Sequence, residues 1–76
     1  MTATEYRNAI AELGDGALVT IRYKSMMRTR TIVGRYRPSP VGQSHMFWIR
    51  SLADNSLSTV SFRRILGITP EMRRAA

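Results

Sequence analysis

The chain has 76 residues and a formal net charge of +7, with twelve basic residues against five acidic ones. This length allows one domain with a modest core, and a hydrophobic share of 43% is typical of a folded protein. The absence of cysteine excludes disulfides, thiolate metal sites and a cysteine nucleophile. No apolar run exceeds four residues and no signal peptide is recognisable, so we expect a cytoplasmic protein without a membrane segment.

The first segment, residues 3–13, is predicted to be a helix. Thr2 precedes Glu5 by three residues, which is the spacing of a capping box. Apolar residues then recur at spacings of three and four and form one stripe: Ala3, Tyr6, Ile10 and Leu13. Gly14 is expected to end the helix, and Asp15-Gly16 to form a turn.

From Ala17 the apolar period changes to two, which predicts strands. The strand over residues 17–24 should have one buried face and a basic outer face that carries Arg22 and Lys24. A turn near residues 25–27 leads to a second predicted strand over residues 28–37. Gly34 within it indicates a bend or a bulge.

The remainder of the chain is predicted to add three strands and a short helical tail. Residues 38–44 have the composition of a loop, and Asp54-Asn55 that of a tight turn. The predicted strands are 45–52, 57–63 and 65–69. Thr69-Pro70-Glu71 is similar to a helix N-terminus, so a last turn of helix is expected within residues 70–76.

One helix followed by five short strands predicts a mainly β fold, a small barrel with the helix against one end. Closure would hide the sheet edges; an open sheet with the helix on one face is the alternative. We expect a single domain over residues 1–76, with the helix at 3–13, the barrel at 17–69 and a tail at 70–76. The predicted core comprises Tyr6, Ile10, Leu13, Val19, Ile21, Val33, Phe47 or Trp48, Ile49, Val60, Ile65 and Ile68, and Phe62 is also expected to pack there.

The third and fourth strands resemble those of WYL domains, a family named after a tryptophan-tyrosine-leucine triplet. Phe47-Trp48-Ile49 supplies aromatic, aromatic and aliphatic residues in that order, and Arg37-Pro38 ends the second strand where the family usually has a proline. Residues 19–25 are similar to the family's opening strand, and Phe62-Arg63-Arg64-Ile65 to its closing stretch. The resemblance covers about residues 17–68.

The resemblance implies an SH3-like, Sm-like five-stranded barrel and a nucleic-acid ligand. WYL domains are usually attached to a DNA-binding helix-turn-helix, for which one N-terminal helix is too little. The chain therefore resembles free-standing versions, of the sort expected in small phage genomes. It departs from the family where Ser61 replaces the usual arginine and Arg63 the usual aspartate, when Arg64-Ile65 is aligned with the family's final pair. This departure affects part of the family's ligand-binding surface.

No catalytic constellation is recognisable, and we expect the protein not to be an enzyme. His45 is the only histidine, so a histidine metal cluster cannot form and a nucleophilic triad would have to include this residue. The acidic residues do not pair, and no glycine-rich phosphate loop is present. We predict no catalytic residues, no metal site and no cofactor.

The basic residues carry the functional hypothesis. Eleven of the twelve are arginine, whose planar guanidinium suits phosphate and stacks on aromatic rings. In a hairpin of the first two strands, Arg22 and Lys24 would face arginines across the pair, a repulsion that an anionic partner would relieve, and Tyr36 would stack on a base. The predicted nucleic-acid-binding residues are Arg22, Lys24, Arg28, Arg30, Arg35, Tyr36, Arg37, Arg63 and Arg64.

A small regulator that binds DNA or RNA is the leading hypothesis. One alternative is a basic adaptor or inhibitor that binds an acidic surface of a host protein, and a less favoured one is a homo-oligomeric structural module. A solvated basic face that only protects strand edges would give the same sequence pattern. Exposure of Met26-Met27 at the first hairpin turn would favour a protein contact.

Overall fold

A computed structural model of the protein describes residues 1–38 and 45–71. Its elements in chain order are helix α1 (Ala3–Ala11), strands β1 (Leu18–Ser25), β2 (Arg28–Arg37), β3 (Met46–Ser51) and β4 (Leu57–Ser61), the one-turn 3-10 helix η1 (Phe62–Arg64), and strand β5 (Ile65–Pro70). The mainly β fold with one N-terminal helix and five strands is confirmed. Each strand begins and ends within two residues of its predicted bounds.

Helix α1 begins at the predicted capping box. The Thr2 hydroxyl accepts a hydrogen bond from the Glu5 N–H at 3.1 Å, and the Glu5 carboxylate accepts one from the Thr2 N–H at 2.9 Å. The hydrogen bond from the Thr2 N–H, and to a smaller extent the interaction of the carboxylate with the Thr2 hydroxyl, hold the pKa of Glu5 below its usual value. The helix ends at Ala11, two residues earlier than predicted, although the Leu13 N–H still donates to the Ile10 carbonyl at 3.0 Å.

The five strands form one antiparallel sheet in the order β4-β3-β2-β1-β5. Because β4 and β5 are its two edges, the sheet is open, and the predicted closure into a barrel is not observed. These edges are nevertheless joined by the three residues of η1 alone. From Ser61 to Ile65 the chain spans at most about 14 Å, whereas the edges of a flat five-stranded sheet would lie about 19 Å apart. The sheet is therefore strongly curled.

Gly34 in β2 marks the point at which the third strand joins. β2 pairs with β1 over residues 28–35 but with β3 only over residues 34–37. A Cβ atom at this position would collide with the Arg50 carbonyl oxygen and would lie 2.8 Å from its carbonyl carbon. The bend that the sequence predicted here is thus a close approach of two backbones, which only glycine permits.

The strand pairings divide the side chains between two faces of the sheet. Ile21 lies opposite Ile32, whereas Val33 lies opposite Thr20, so Ile32 shares the core-facing side and Val33 does not. The predicted burial of Val33 is wrong, since 42% of it is exposed. Alternate residues of a strand face the same side of the sheet. Because Ile32 and Gly34 face the core, Val33 between them faces the opposite side.

The core lies between this inner face and α1. Its buried side chains are Tyr6, Val19, Ile21, Phe47, Ile49, Val60 and Ile65, with Ile10, Leu13, Tyr36, Phe62 and Ile68 partly buried against them. The Tyr6 ring lies 6.4 Å from that of Phe47 and 5.5 Å from that of Phe62, between ring centroids. Of the two alternatives in the third strand, Phe47 is the buried residue and Trp48 lies on the opposite face.

The predicted helix start at Thr69-Pro70 is wrong. Strand β5 continues through Pro70, and the Glu71 N–H donates to the Leu18 carbonyl at 2.8 Å, because the chain end extends the β1 pairing instead of turning into a helix. Residues 72–76 of the predicted tail and residues 39–44 of the predicted loop lie outside the described residues.

We expect Ile21→Ala to lower the free energy of unfolding by about 2–5 kcal/mol, because its fully buried side chain would leave a cavity. Val33→Ala, on the neighbouring strand and the opposite face, should cost less than about 1 kcal/mol. Chemical denaturation measures both. Equal losses in the two variants would mean that the faces of β1 and β2 are assigned wrongly.

Gly34→Ala should destabilise the fold by about 1–3 kcal/mol, because β2 and β3 must separate to admit the methyl group. Gly67→Ala is the matched control, since a Cβ atom there would meet nothing within 4 Å. Thermal unfolding of the two variants compares them directly. A Gly34 variant as stable as the Gly67 variant would contradict the close approach.

Candidate nucleic-acid interface

The side of the sheet opposite the core is here called the outer face. It consists of the side chains that alternate with the buried ones along β1, β2 and β3. Helix α1 packs on the inner side, so the outer face lacks a covering helix in the part of the chain that the structure describes. Its basic residues are Arg22, Lys24, Arg35, Arg37 and Arg50.

Two arginines lie directly opposite each other on this face. Arg35 of β2 pairs with Arg50 of β3, and opposed like charges cost stability. Arg35 Nη1 donates to the Gly16 carbonyl at 3.0 Å, and Arg50 Nη1 to the Asn55 carbonyl at 2.9 Å. Neither guanidinium forms an ion pair with another described residue. The carbonyls orient the two guanidiniums but leave their charges unneutralised.

Trp48 lies beside this pair. It is directly opposite Arg37 and, two residues before Arg50 in β3, points to the same side. The side chain is half-buried, and its Nε1 is buried without a hydrogen-bond partner among the described residues. A depression of about 140 Å³ next to the ring is lined by Arg37, Pro38, Trp48, Arg50 and Leu57. It is smaller than a typical small-molecule pocket and suits a group presented by a larger partner.

Acidic residues neutralise little of this charge. Arg37 Nε lies 3.7 Å from Asp15 Oδ1, the only ion pair within residues 1–38 and 45–71, and both side chains are more than half exposed. An exposed pair of this kind contributes little. The Asp54 carboxylate instead accepts hydrogen bonds from the Ser56 hydroxyl at 2.7 Å and from the Ser56 N–H at 3.0 Å. The hydroxyl bond, with a smaller contribution from the N–H bond, lowers the pKa of Asp54. The Glu71 carboxylate also lies on this face, where it accepts a hydrogen bond from a threonine hydroxyl of β1 at 3.0 Å. Two carboxylates against five cations leave the outer face positive.

The predicted apposition of cations across the first hairpin is wrong. Arg22 lies opposite Thr31 and Lys24 opposite Thr29. Because the two-residue turn sets the register, the cations of β2 fall on the other side of the hairpin. The opposed pair that does occur, Arg35 with Arg50, joins β2 to β3.

Arg28 and Arg30 point to the inner side of the hairpin. They lie opposite Ser25 and Tyr23, beyond the part of the inner face that the core fills. Arg30 lines a polar cleft of about 350 Å³ together with Tyr23, Thr31, Ile32, Ser51, Asp54, Ser56 and Ser58. The end of the hairpin thus carries cations on both of its sides.

Tyr36 lies on the inner face, away from Arg35 and Arg37. Its ring centroid is 5.2 Å from that of Phe47. Burial raises the pKa of the Tyr36 phenol, and the charge of Asp15 makes a smaller contribution in the same direction. Tyr36 therefore supports the core and is not placed to stack on a base held by its two neighbouring arginines.

Arg63 and Arg64 are exposed in η1, beside α1 and not on the outer face of β1, β2 or β3. The Arg63 guanidinium lies 5.9 Å from the centroid of the Phe62 ring. The outer face does not bring these two arginines together with Arg35 and Arg37.

The predicted site omitted Trp48 and Arg50. The sequence leaves either Phe47 or Trp48 for the core and does not place Arg50 among the binding residues. The available signal was the period of two in β3, in which Trp48 and Arg50 alternate with the buried Phe47 and Ile49.

Comparison with family models, with curated proteins and with solved structures found no match. Among residues 1–38 and 45–71, no group of three or more histidine, cysteine, aspartate or glutamate side chains could hold a metal ion. In the same residues no helix is long and apolar enough to cross a membrane.

Burial raises the pKa of Tyr6 to about 12, with a smaller contribution from the charge of Tyr36. In the unfolded chain the phenol loses its proton near pH 10. The contribution of the neutral phenol to the free energy of unfolding is therefore fully present below about pH 10 and is lost as the pH rises toward about 12. We expect the protein to unfold in this window when followed by circular dichroism. Tyr6→Phe has no proton to lose and should unfold at higher pH; unchanged alkaline unfolding would contradict the role of Tyr6.

Proposed function

We propose that the protein is a small, non-catalytic nucleic-acid-binding module, WYL-like in function, that contacts DNA or RNA through its outer face. The observation that carries the proposal is the opposed pair Arg35 and Arg50 beside Trp48, on a face that no helix of the described residues covers. A domain of this size has a small margin of stability. Two unneutralised arginines in direct opposition reduce that margin, and binding of a polyanion would offset the repulsion.

The arginines would bind phosphate. A guanidinium offers several N–H donors in a fixed fork, and on Arg35 and Arg50 one donor is already used by a backbone carbonyl. Because this bond already orients the guanidinium, its remaining donors lose little further conformational freedom when a phosphate binds. Such contacts are independent of base sequence and weaken steeply with salt.

Trp48 would take the stacking role that the sequence assigned to Tyr36. Its partly exposed ring lies opposite Arg37 and beside Arg50 on the outer face. An aromatic surface between cations is the arrangement with which single-stranded nucleic acids are bound, bases on the ring and phosphates on the arginines. This arrangement favours an unpaired base at the depression beside Trp48.

An acidic protein surface is the competing partner. It would pair with the same arginines, because rim charges on proteins attract any complementary anionic surface. It would not require a flat ring to be presented between them. The response of Trp48 therefore separates the two partners.

We expect Arg35→Ala to weaken the binding of a labelled single-stranded oligonucleotide and to reduce the slope of log affinity against log salt by about 0.7 for each lost phosphate contact. The same variant should be as stable as the wild type or more so, since it removes the repulsion with Arg50. Fluorescence anisotropy over a series of salt concentrations measures the binding. Trp48→Ala should weaken it by about 1–3 kcal/mol while leaving the salt slope unchanged.

Arg7→Ala is the matched control, because it removes the same charge from the exposed side of α1. Trp48 is the only tryptophan of the chain, so its fluorescence reports directly on the outer face. Equal loss of affinity in the Arg7 and Arg35 variants, with no change in Trp48 emission, would mean that net charge alone attracts the oligonucleotide. Absence of binding at low salt, together with tight capture of an acidic protein, would contradict the proposal and favour an adaptor that binds an acidic protein surface.

A further inference from the structure

The turn between β1 and β2 ends in two fully exposed methionines. Met26 is 95% exposed and Met27 96%, more than any other large apolar side chain of the described residues. Neither belongs to the core or to the residues packed against it. A pair of large apolar side chains held wholly in water is a candidate contact, either for the protein partner that this exposure favours or for the stacked bases of a duplex. Methionine adapts its shape to irregular apolar surroundings of either kind.

The backbone of this turn is also strained. Met26 has a φ of 57°, in the left-handed region that favours glycine. Glycine would fit the turn without strain, yet the chain has a long side chain at its outermost position. A two-residue hairpin turn requires a positive φ, which glycine or asparagine normally supplies, so the turn itself does not explain the long side chain at this position.

The hairpin end projects as a two-stranded ribbon. Beyond Tyr23, β1 pairs with β2 alone, and residues 28–32 of β2 have no second neighbour among the described strands. Met26 is the third residue after Tyr23, so the ribbon extends about 10 Å past the three-stranded part of the sheet. The minor groove of B-form DNA is about 7.5 Å deep and about 6 Å wide, so the ribbon enters it only where the groove is widened by a bend.

Cations occupy both sides of the hairpin. Within the ribbon, Lys24 lies on the outer side and Arg28 on the inner side. Arg22 on the outer side and Arg30 on the inner side follow at its base, where β1 also pairs with β5. A flat partner that lies on one side would meet only one of these pairs. A duplex groove has a phosphate backbone along each wall, so a ribbon inserted into it places anions beside both pairs at once.

We propose that the β1–β2 hairpin is a wedge that enters the minor groove of a nucleic-acid duplex and inserts Met26 and Met27 between base pairs. Apolar side chains inserted in this way unstack a base step and kink the duplex. Lys24 and Arg28 of the ribbon, with Arg22 and Arg30 at its base, hold the phosphates on either side. The inference rests on the proposed function and adds to it a second partner form, the duplex, and a mechanical effect.

The test is the shape of a bound duplex. A duplex oligonucleotide labelled at both ends with a fluorescence donor and acceptor should shorten on binding the wild-type protein, as a bend of about 20–90° requires. The double variant Met26→Gly/Met27→Ala should still bind with the same salt slope, but without shortening the duplex. Glycine suits the φ at position 26, so this variant should unfold at the same denaturant concentration as the wild type or a higher one.

Leu52→Ala is the matched control, because it removes a side chain that is 56% exposed in the turn between β3 and β4. It should bend the duplex as the wild type does. A duplex that binds without bending, or a double variant that bends it fully, would overturn this inference and leave the proposed function standing. Failure of the wild type to bind any oligonucleotide at low salt would overturn both. Capture on phosphatidylserine vesicles that depends on the two methionines, without duplex bending, would assign the hairpin to a lipid surface instead.

Discussion

The curl of the sheet is the constraint on which the remaining structure depends. Three residues join the two edge strands, and a flat sheet would hold those edges too far apart. The curl places the buried and partly buried apolar side chains of the core on a concave side that a nine-residue helix can cover. The same curvature puts the outer-face cations of β1, β2 and β3 on the convex side, whereas Arg28 and Arg30 remain on the inner side of the hairpin. Gly34 permits the curl, because a larger residue would hold β3 away from β2.

The sequence predicted the elements well because local signals define them. The capping box at Thr2, the change of period at Ala17 and the turn at Asp15-Gly16 each involve neighbouring residues only. The period of two does not specify which face is buried when two adjacent residues are both apolar. Ile32-Val33 and Phe47-Trp48 are such pairs, and burial was assigned to Val33 in the first and left open in the second. The cross-strand pairing decides both, with Ile32 and Phe47 inside.

The candidate site was predicted less completely for the same reason. The cationic residue types were recognised, but the contact that distinguishes the site, Arg35 with Arg50, joins strands separated by residues 38–45 of the chain. A hairpin with a two-residue turn fixes its own register, whereas the pairing of β2 with β3 depends on the curl at Gly34. Tyr36 was assigned to the binding face by its proximity in sequence to Arg35 and Arg37. Successive residues of a strand point to opposite sides, which places it in the core.

The unpaired edge of β2 affects how this protein can evolve. Between the hairpin turn and Ile32, one row of backbone N–H and C=O groups has no neighbouring strand among the described residues. Charged side chains along such an edge prevent another chain from adding a strand and starting an aggregate. Arg28 and Arg30 therefore protect the protein whether or not a ligand binds them. A lineage that had lost its ligand would still be selected to retain charge at these two positions, while Arg35 and Arg50 would be free to change.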